Sequence, residues 1–283
     1  MENFDGIIMR ENTDKETGFL MPTASDFNVV DLFDLKNETA LITGAANGIG
    51  RVAAIALGKA GAKIAITDIN FEEAKILEKE LLKAGVQAKA WHMDAKNEKN
   101  IIEVFDEVDK SLGDTSILIN NAGTAHRSPA EEMSTEDFEN IIRLNLTGSF
   151  ICARTAAQRM LKNKRGSIIN IASIMGVTGG GPAPNSPYHA SKGAIVNLTR
   201  SLANEWGPEG IRVNAIGPTY TKTRLVKSLN EDPEKLKFII ERTPLRRLAE
   251  VSEMAGGILF LASDASSMVT GHTLMIDGGW ASN

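Results

Sequence analysis

Tyr188 and Lys192 carry the clearest chemical signal in the chain, within the run Tyr-His-Ala-Ser-Lys at 188–192. On a helix, residues four apart project from one face, so this spacing predicts that the ammonium lies near the phenol. A free tyrosine has a pKa of about 10 and is a poor acid or base at neutral pH. We expect Lys192 to stabilise the phenolate and to lower the pKa of Tyr188, which predicts a group that exchanges a proton with a substrate oxygen.

A glycine-rich turn predicts a nucleotide site. Gly44, Gly48 and Gly50 follow a predicted strand and open a predicted helix, with Asn47 and Ile49 between them. Glycines allow a tight turn and a close backbone approach to a pyrophosphate, and a helix N-terminus stabilises that anion. The spacing Gly-x-x-x-Gly-x-Gly differs from the commoner Gly-x-Gly-x-x-Gly, so the position after the first strand of a βαβ unit supports the prediction.

An acidic residue at the end of the second predicted strand favours one cofactor over another. Asp68 lies 24 residues after Gly44, where a carboxylate can accept hydrogen bonds from adenosine ribose hydroxyls and repel a 2′-phosphate. Ala46 and Asn47 add no cation to the turn, and Ile69 follows the acid. These residues predict NAD rather than NADP, the alternative being an aspartate that only caps a strand end.

Short apolar runs alternate with longer amphipathic segments from Glu38 onward. Strands are predicted at Thr39–Thr43, Lys63–Thr67, Ala88–Met93, Ser116–Ile119, Ser167–Ala172, Arg212–Ile216 and Thr273–Ile276. Helices are predicted over 48–60, 71–84, 97–112, 134–162, 187–206, 222–242 and 250–263. The alternation predicts one α/β domain over 35–283, with a doubly wound parallel sheet and helices on both faces.

Composition excludes several functional classes. Hydrophobic residues make up 42% of the 283 residues, enough for a buried core, and the net charge of −5 argues against a nucleic-acid or membrane surface. Cys152 is the only cysteine, so it forms no intramolecular disulfide and suits a reducing compartment. No apolar run approaches the roughly 20 residues of a membrane helix, and the N-terminus lacks the pattern of a secretory signal, which favours the cytoplasm.

The first 34 residues differ from the rest. They hold eight acidic and two basic residues, so nearly all of the net charge lies in this N-terminal extension. It shows no sustained helical or strand period. We expect a flexible or surface-draped segment, the alternative being a segment that packs on a neighbouring subunit.

Taken in order, several motifs resemble those of the short-chain dehydrogenase/reductase family. They are Thr-Gly-x-x-x-Gly-x-Gly from Thr43, Asn-Asn-Ala-Gly from Asn120, Ser173 and Tyr-x-x-x-Lys from Tyr188, and the resemblance covers about residues 36–283. The resemblance implies a Rossmann-type sheet of seven strands, hydride transfer between a secondary alcohol or ketone and NAD, and a homotetramer built mainly through helices.

The same resemblance implies further site residues. Asp94 matches the aspartate beside the adenine ring, and Thr223, five residues after Pro218, matches the threonine that holds the nicotinamide carboxamide. Asn121, Ala122 and Gly123 match the turn that lines the cofactor, and Lys192 would also bind ribose hydroxyls. The chain departs from the family at Thr219, where glycine is usual, and this restricts the backbone beside the nicotinamide.

Two more polar residues are predicted near the reacting carbon. Ser173, fifteen residues before Tyr188, ends the fifth predicted strand and can hydrogen-bond the substrate oxygen. Asn145 lies on the apolar stripe of its predicted helix, where a buried amide needs partners. The resemblance implies that Asn145 anchors a water of the proton relay, whereas a purely structural reading pairs it with neighbouring backbone.

The substrate is predicted from Arg127 and two segments. Loop 176–187 is rich in glycine and proline, and 219–246 is predicted to form a lid. Arg127 either faces the pocket, where it would suit a carboxylate, or is a solvated surface residue. The runs around Arg127, Trp206 and Trp280 resemble sugar-acid and polyol members such as gluconate 5-dehydrogenases and 2-deoxygluconate 3-dehydrogenases.

Other candidates are weaker. A 3-oxoacyl-thioester reductase is the runner-up, and a catalytically silent NAD sensor is the hypothesis of another class. The four histidines at 92, 126, 189 and 272 have no metal-ligand spacing, so no metal site is predicted. We expect His189 to point to a face of its helix different from that of Tyr188, and Cys152 to lie in the core.

Overall fold

A seven-stranded parallel sheet forms the centre of the protein; the computed structural model describes residues 27–282. The strands are β1 Thr39–Thr43, β2 Lys63–Asp68, β3 Ala88–His92, β4 Ile117–Asn120, β5 Gly166–Ile171, β6 Ile211–Pro218 and β7 Thr273–Ile276. Their order in the sheet is β3-β2-β1-β4-β5-β6-β7, with every neighbouring pair parallel. The predicted doubly wound parallel sheet is confirmed, with small differences at strand ends.

Helices cover both faces of the sheet. They are α1 Gly48–Lys59, α2 Phe71–Lys83, α3 Glu98–Leu112, α4 Thr135–Ile142, α5 Ser149–Asn163, α6 Ser186–Trp206, α7 Lys227–Asn230, α8 Pro233–Arg242 and α9 Met254–Ala262. All five residues of β1 are buried. Ile42 packs in the core with α1, α2 and α9, while Leu41 packs with α3, α5 and α6 on the opposite face. Burying one such side chain stabilises the fold by about 1.5–3 kcal/mol, which explains why strands covered on both faces lack polar alternation.

Two helices predicted as continuous are interrupted. A π-helical stretch, Arg143–Gly148, separates α4 from α5, and the Ser149 hydroxyl donates to the Asn145 carbonyl oxygen within it (2.9 Å). The predicted helix over 222–242 is also divided, because Asp232 caps α8 by accepting hydrogen bonds from Glu234 N and Lys235 N. The first of these interruptions lies beside the cleft described below, since Leu144 lines it.

The described part of the N-terminal extension is exposed or partly exposed. It contains a short 3-10 helix, Asp31–Phe33, and Leu35 is the first buried residue of the described chain. Residues 1–26 of the predicted extension lie outside the described residues. Within 27–282, no helix has both the length and the apolar character needed to cross a membrane.

Candidate active site

A cleft of about 500 Å³ lies at the carboxyl ends of the central strands. The strand order changes direction between β1 and β4, so the helices that follow these strands lie on opposite faces and leave a crevice between them. Almost all of the residues predicted from the sequence to form the site line this cleft. Gly50 and Asn145 are the two that do not.

The glycine-rich turn forms one wall of the cleft. Gly44 and Gly48 have φ of +62° and +57°, a conformation that side chains with a Cβ rarely adopt. Within the described chain, no side chain caps the N-terminus of α1 at Asn47, although α2 and α3 are each capped by an asparagine. The first N–H groups of α1, beside Gly48 and Ile49 in the cleft wall, are therefore suited to an anionic phosphate.

Gly50 does not line the cleft but lies behind the glycine-rich turn. A Cβ at Gly50 would lie 2.4 Å from the Gly44 carbonyl oxygen and 2.5 Å from Asn121 Nδ2. Asn121 Nδ2 in turn donates to the carbonyl oxygens of Thr43 (2.9 Å) and Gly44 (2.8 Å). The glycine therefore allows α1 to approach the ends of β1 and β4, and Asn121 fixes the turn that exposes Ala122 to the cleft.

Asp68 both supports the turn and faces the cleft. Its carboxylate accepts hydrogen bonds from Ala46 N (2.9 Å) and Asn70 N (2.8 Å), and the residue is 7% exposed. A carboxylate has about four acceptor positions, so two remain for a ligand. Asp94 lines the same end and is held by the donation of Lys96 N to its carboxylate (2.9 Å). Asp68 thus caps the end of its strand, as the alternative interpretation predicted, and it also lines the cleft.

Opposite the glycine turn, residues after β6 close the cleft. Pro218 ends this strand, and the Thr223 side chain lies 3.4 Å from the position that a Cβ on Gly48 would occupy. Thr219 is not among the described non-glycine residues with positive φ, which are Asn37, Lys164 and Arg246. Threonine in place of the usual glycine therefore introduces no left-handed backbone strain here.

Ser173, Tyr188 and Lys192 lie together at the inner end of the cleft. Ser173 follows β5, which ends one residue earlier than the predicted strand Ser167–Ala172, and its hydroxyl accepts from Met175 N (3.1 Å). The Lys192 ammonium lies 5.6 Å from the centroid of the Tyr188 ring and donates to the Ile171 carbonyl oxygen. The one-face spacing predicted for this pair on α6 is what the structure shows.

The predicted lowering of the Tyr188 pKa by Lys192 is wrong for the protein described here. Burial raises the pKa of Tyr188, while a hydrogen bond with Ser173 and the positive charge of Arg127 act in the opposite direction. Burial also lowers the pKa of Lys192 to about 8. The sequence reasoning considered only the neighbouring charge, whereas desolvation dominates for both groups.

Asn145 lies one step behind the cleft wall. The side chain is 1% exposed; its Oδ1 accepts from Thr124 N (2.9 Å), and its Nδ2 donates to Thr124 O (2.9 Å) and to Ser191 Oγ (3.1 Å). This is the pairing with backbone that the structural reading anticipated. Asn145 therefore holds Thr124, which lines the cleft, against the helix that carries Tyr188.

Arg127 faces the cleft. It lines the wall near Tyr188, and its Nη2 donates to the Leu225 carbonyl oxygen of the predicted lid (3.1 Å). A guanidinium has five donors, so this bond leaves others for a ligand. Arg127 is partly exposed and lines the cleft, as the first of the two alternatives predicts.

Tyr220 and His189 are among the polar residues of the cleft that were not predicted individually from the sequence. Tyr220, 8% exposed, lines the wall after β6, and its position two residues after Pro218 was the available signal. His189, which we expected on a face of its helix different from that of Tyr188, also lines the cleft, and its Nδ1 lies 2.8 Å from the Asn185 carbonyl oxygen.

No group of three or more histidine, cysteine, aspartate or glutamate side chains in the described part of the chain could hold a metal ion. Cys152, as predicted, is in the core at 1% exposure, and burial raises the pKa of its thiol to about 12.

Comparisons with known proteins agree with this geometry. A family model described as Enoyl-(Acyl carrier protein) reductase matches residues 44–281. The chain is 37% identical to the 5-keto-D-gluconate 5-reductase of Escherichia coli (strain K12), covering 88% of this chain and 97% of that protein. It is 39% identical to the 2-dehydro-3-deoxy-D-gluconate 5-dehydrogenase of Bacillus subtilis (strain 168), covering 89% of this chain and 98% of that protein. The solved gluconate 5-dehydrogenase of Burkholderia cenocepacia J2315, in complex with NADP and tartrate, superposes with a TM-score of 0.87 at 36% identity, covering 90% of this chain and 100% of that one.

Proposed function

Because this chain belongs to the short-chain dehydrogenase/reductase family, we propose that it interconverts a secondary alcohol and a ketone on a sugar acid or polyol. One observation carries the proposal. A single cleft joins the uncapped N-terminus of α1 to Ser173, Tyr188 and Lys192, with Arg127 on the same wall. The cleft thus has an anion-binding end, a proton-exchanging group and a cation.

In this reaction a nicotinamide cofactor supplies or accepts the hydride. The Tyr188 hydroxyl transfers the proton to or from the substrate oxygen, and Ser173 Oγ hydrogen-bonds that oxygen. Lys192 places a titratable ammonium beside the phenol and is the proposed ligand of the nicotinamide ribose. Asn145 acts as a positioning residue by fixing Thr124 and Ser191, and the water-anchoring role implied by the resemblance remains a proposal.

The two ends of the cofactor are assigned to different walls. Gly44, Asn47, Gly48 and Ile49 would hold the pyrophosphate through backbone N–H groups, and Gly50 would allow their close packing. The other proposed contacts are Asp68 and Asp94 at the adenosine end, Asn121, Ala122 and Gly123 along the middle, and Pro218 and Thr223 at the nicotinamide end.

The proposed substrate carries a carboxylate. Arg127 lines the cleft and its positive charge acts on Tyr188, and its guanidinium can pair with a carboxylate in a bidentate geometry. Sugar-acid names among the relatives agree with this chemistry. Arg127 would then hold the acid group while Tyr188 reacts at a carbon farther along the chain.

We propose NAD as the preferred cofactor, although the Burkholderia relative was solved with NADP. Asp68 places a buried negative charge in the cleft, where it would repel a 2′-phosphate, and Ile69 beside it offers no compensating cation. Asp68→Asn keeps one acceptor for the loop and removes the charge, so the ratio of kcat/KM with NAD to that with NADP should fall about tenfold or more. An unchanged ratio in this variant, with the melting temperature preserved, would contradict the assignment.

The function is tested by a panel of sugar acids, polyols and simple secondary alcohols, followed by absorbance of the reduced cofactor with NAD and NADP in parallel. Turnover of a sugar acid supports the proposal, and turnover of uncharged alcohols alone would contradict the carboxylate assignment. Acetoacetyl thioester belongs in the panel because a 3-oxoacyl-thioester reductase is the second candidate, and crotonyl thioester belongs there because the matching family model is described as an enoyl reductase. Cofactor binding without any turnover would instead support the silent sensor.

The assembly and the location of the protein are proposed from its exposed apolar side chains and from its single cysteine. Partly exposed apolar side chains on α3, α4 and α5, namely Ile102, Phe138, Phe150 and Leu161, support a homotetramer built through helices. The lone buried thiol suits a reducing cytoplasm. Light scattering of the purified protein tests the tetramer, and a monomeric mass would contradict it.

A further inference from the structure

The chain has only two tyrosines, and both line the same cleft. Tyr188 lies on α6, whereas Tyr220 lies on the segment after β6. The ring of Tyr220 packs edge-on against Trp280, with centroids 5.2 Å apart and an interplanar angle of 61°. On its other side, a Cβ at Gly181 would lie 3.0 Å from the Tyr220 hydroxyl oxygen. The ring is therefore held in place, with its oxygen beneath loop 176–187.

The Tyr220 hydroxyl has no protein partner within residues 27–282. No described side chain or backbone group forms a hydrogen bond with it, yet it is not sealed from the cleft as the hydroxyl of Thr219 is. A fixed and accessible phenol without a partner is thus suited to a polar ligand.

The charges around Tyr220 indicate the kind of ligand that its hydroxyl is suited to bind. Burial raises the pKa of Tyr220, whereas the positive charges of Arg127 and Arg242 act in the opposite direction. Because its pKa is raised, the phenol stays protonated and remains a donor at neutral pH. Arg127 also acts on Tyr188, so its guanidinium lies within electrostatic reach of both phenols. An anion bound to Arg127 would lie close to the Tyr220 donor.

We propose that Tyr220 donates a hydrogen bond to the substrate carboxylate that Arg127 binds, and that it thereby sets the preference for an acid over a neutral polyol. The inference rests on the proposed function and assigns a second recognition residue to it. The two tyrosines then differ in role, since Tyr188 exchanges a proton at the reacting carbon and Tyr220 holds the remote acid group.

The test measures kcat/KM for the best sugar acid of the panel and for the polyol of equal chain length. Tyr220→Phe keeps the ring against Trp280 and removes only the hydroxyl. A hydrogen bond to a charged group is worth about 1.5–3 kcal/mol, so the acid-to-polyol ratio should fall about 10- to 100-fold, mainly through KM for the acid. Phe238→Leu is the packing control, because Phe238 also contacts Trp280 (centroids 6.3 Å apart) without contributing a hydroxyl.

A double-mutant cycle with Arg127→Leu tests whether the two residues bind the same group. If they do, the fold-loss in the ratio for the double variant is smaller than the product of the two single fold-losses. The inference is overturned if Tyr220→Phe lowers kcat/KM for both substrates alike, or leaves both unchanged, in a wild-type enzyme that does turn over a sugar acid. A wild-type protein without turnover of any sugar acid would overturn the proposed function and this inference with it.

Discussion

The two halves of the cleft are built in different ways. The nucleotide half, formed by the turn 43–50 with Asp68, Asp94 and Asn121, consists of strand ends, backbone groups and short buried hydrogen bonds. The substrate half, formed by Arg127, loop 176–187 and segment 219–246, consists of side chains carried by loops and short helices. The nucleotide half is therefore built directly on the ends of the sheet strands. The substrate half lies on loops and short helices outside the sheet.

The difference explains what each half can do. Backbone donors at a helix N-terminus bind a group that is common to all dinucleotides, and they need rigidity more than variety. Side chains on loops can change without disturbing the sheet, so substrate recognition can vary on a constant scaffold. Tyr188 and Lys192 lie where the halves meet, on a helix tied to β5 by the donation of Asn170 Nδ2 to Thr199 Oγ1 (2.9 Å).

The largest effect is expected at this junction. Tyr188→Phe removes the hydroxyl that we propose exchanges the proton and keeps the ring, so kcat should fall about 10²- to 10⁴-fold. Binding of the reduced cofactor, followed by its fluorescence, should change little because the nucleotide half is intact. Near-normal turnover in this variant would show that another group moves the proton.

The second prediction concerns the free energy of unfolding, which the burial of the Lys192 ammonium lowers. Its pKa is about 8 in the folded protein against 10.5 for an unperturbed lysine, so the unfolded chain binds more protons between these values. Stability should therefore rise with pH across this window, by at most about 3 kcal/mol, while the full cost of burying the charge is present below about pH 8.

The effect of Lys192 on stability is measured by comparing the wild type with a variant that lacks the amine. Lys192→Met removes the group, so the pH dependence of the free energy of unfolding of the wild type should exceed that of the variant between about pH 8 and 10.5. This subtraction cancels the titration of all other groups. Parallel curves for the two proteins would mean that Lys192 is not desolvated.

A smaller effect tests the rigidity of the nucleotide half. Gly50→Ala places a methyl group 2.4 Å from the Gly44 carbonyl oxygen, and such overpacking costs about 1–3 kcal/mol of stability. Cofactor affinity should fall with it because the turn must shift. Gly256→Ala is the matched control, since that helical glycine has no atom within 4 Å of the added Cβ and should be neutral or slightly stabilising.

The same contrast between the two halves explains which features could be predicted from the sequence. The strands and the glycine turn were predictable because apolar runs and a close backbone approach dictate residue types directly. The spacing of Tyr188 and Lys192 was predictable because helix geometry is regular. The family comparisons and the observed sheet confirm the fold at this level.

What could not be predicted depends on long-range packing. The sign of the Tyr188 pKa shift follows from burial, which the local sequence does not state. Tyr220 enters the cleft because Trp280, sixty residues later, fixes its ring, and no local period signals that contact. The π-helical stretch Arg143–Gly148 keeps an ordinary helical composition, so only the structure reveals that it places Asn145 behind the wall.

The smallest expected effect lies on the outside of the substrate half. Arg224 Nη1 lies 2.9 and 2.8 Å from the two carboxylate oxygens of Glu73, joining the lid segment to α2 beside the nucleotide half. The Arg224 side chain is 69% exposed, so the pair contributes less than about 1 kcal/mol to stability and is weakened by salt. Because it joins the two halves, Arg224→Ala should speed cofactor release by about two- to fivefold, and high salt should abolish the difference from wild type.

Arg247→Ala provides the comparison, because it breaks an exposed pair with Glu253 that does not line the cleft. Both variants should lose a similar and small amount of stability, while only Arg224→Ala should change the rate of cofactor release in stopped-flow fluorescence. Equal release rates in the two variants would show that the halves are joined by the buried contacts alone. In that case the lid would be held by packing around Tyr220 and Trp280, and the exposed ion pairs would have no part in retaining the cofactor.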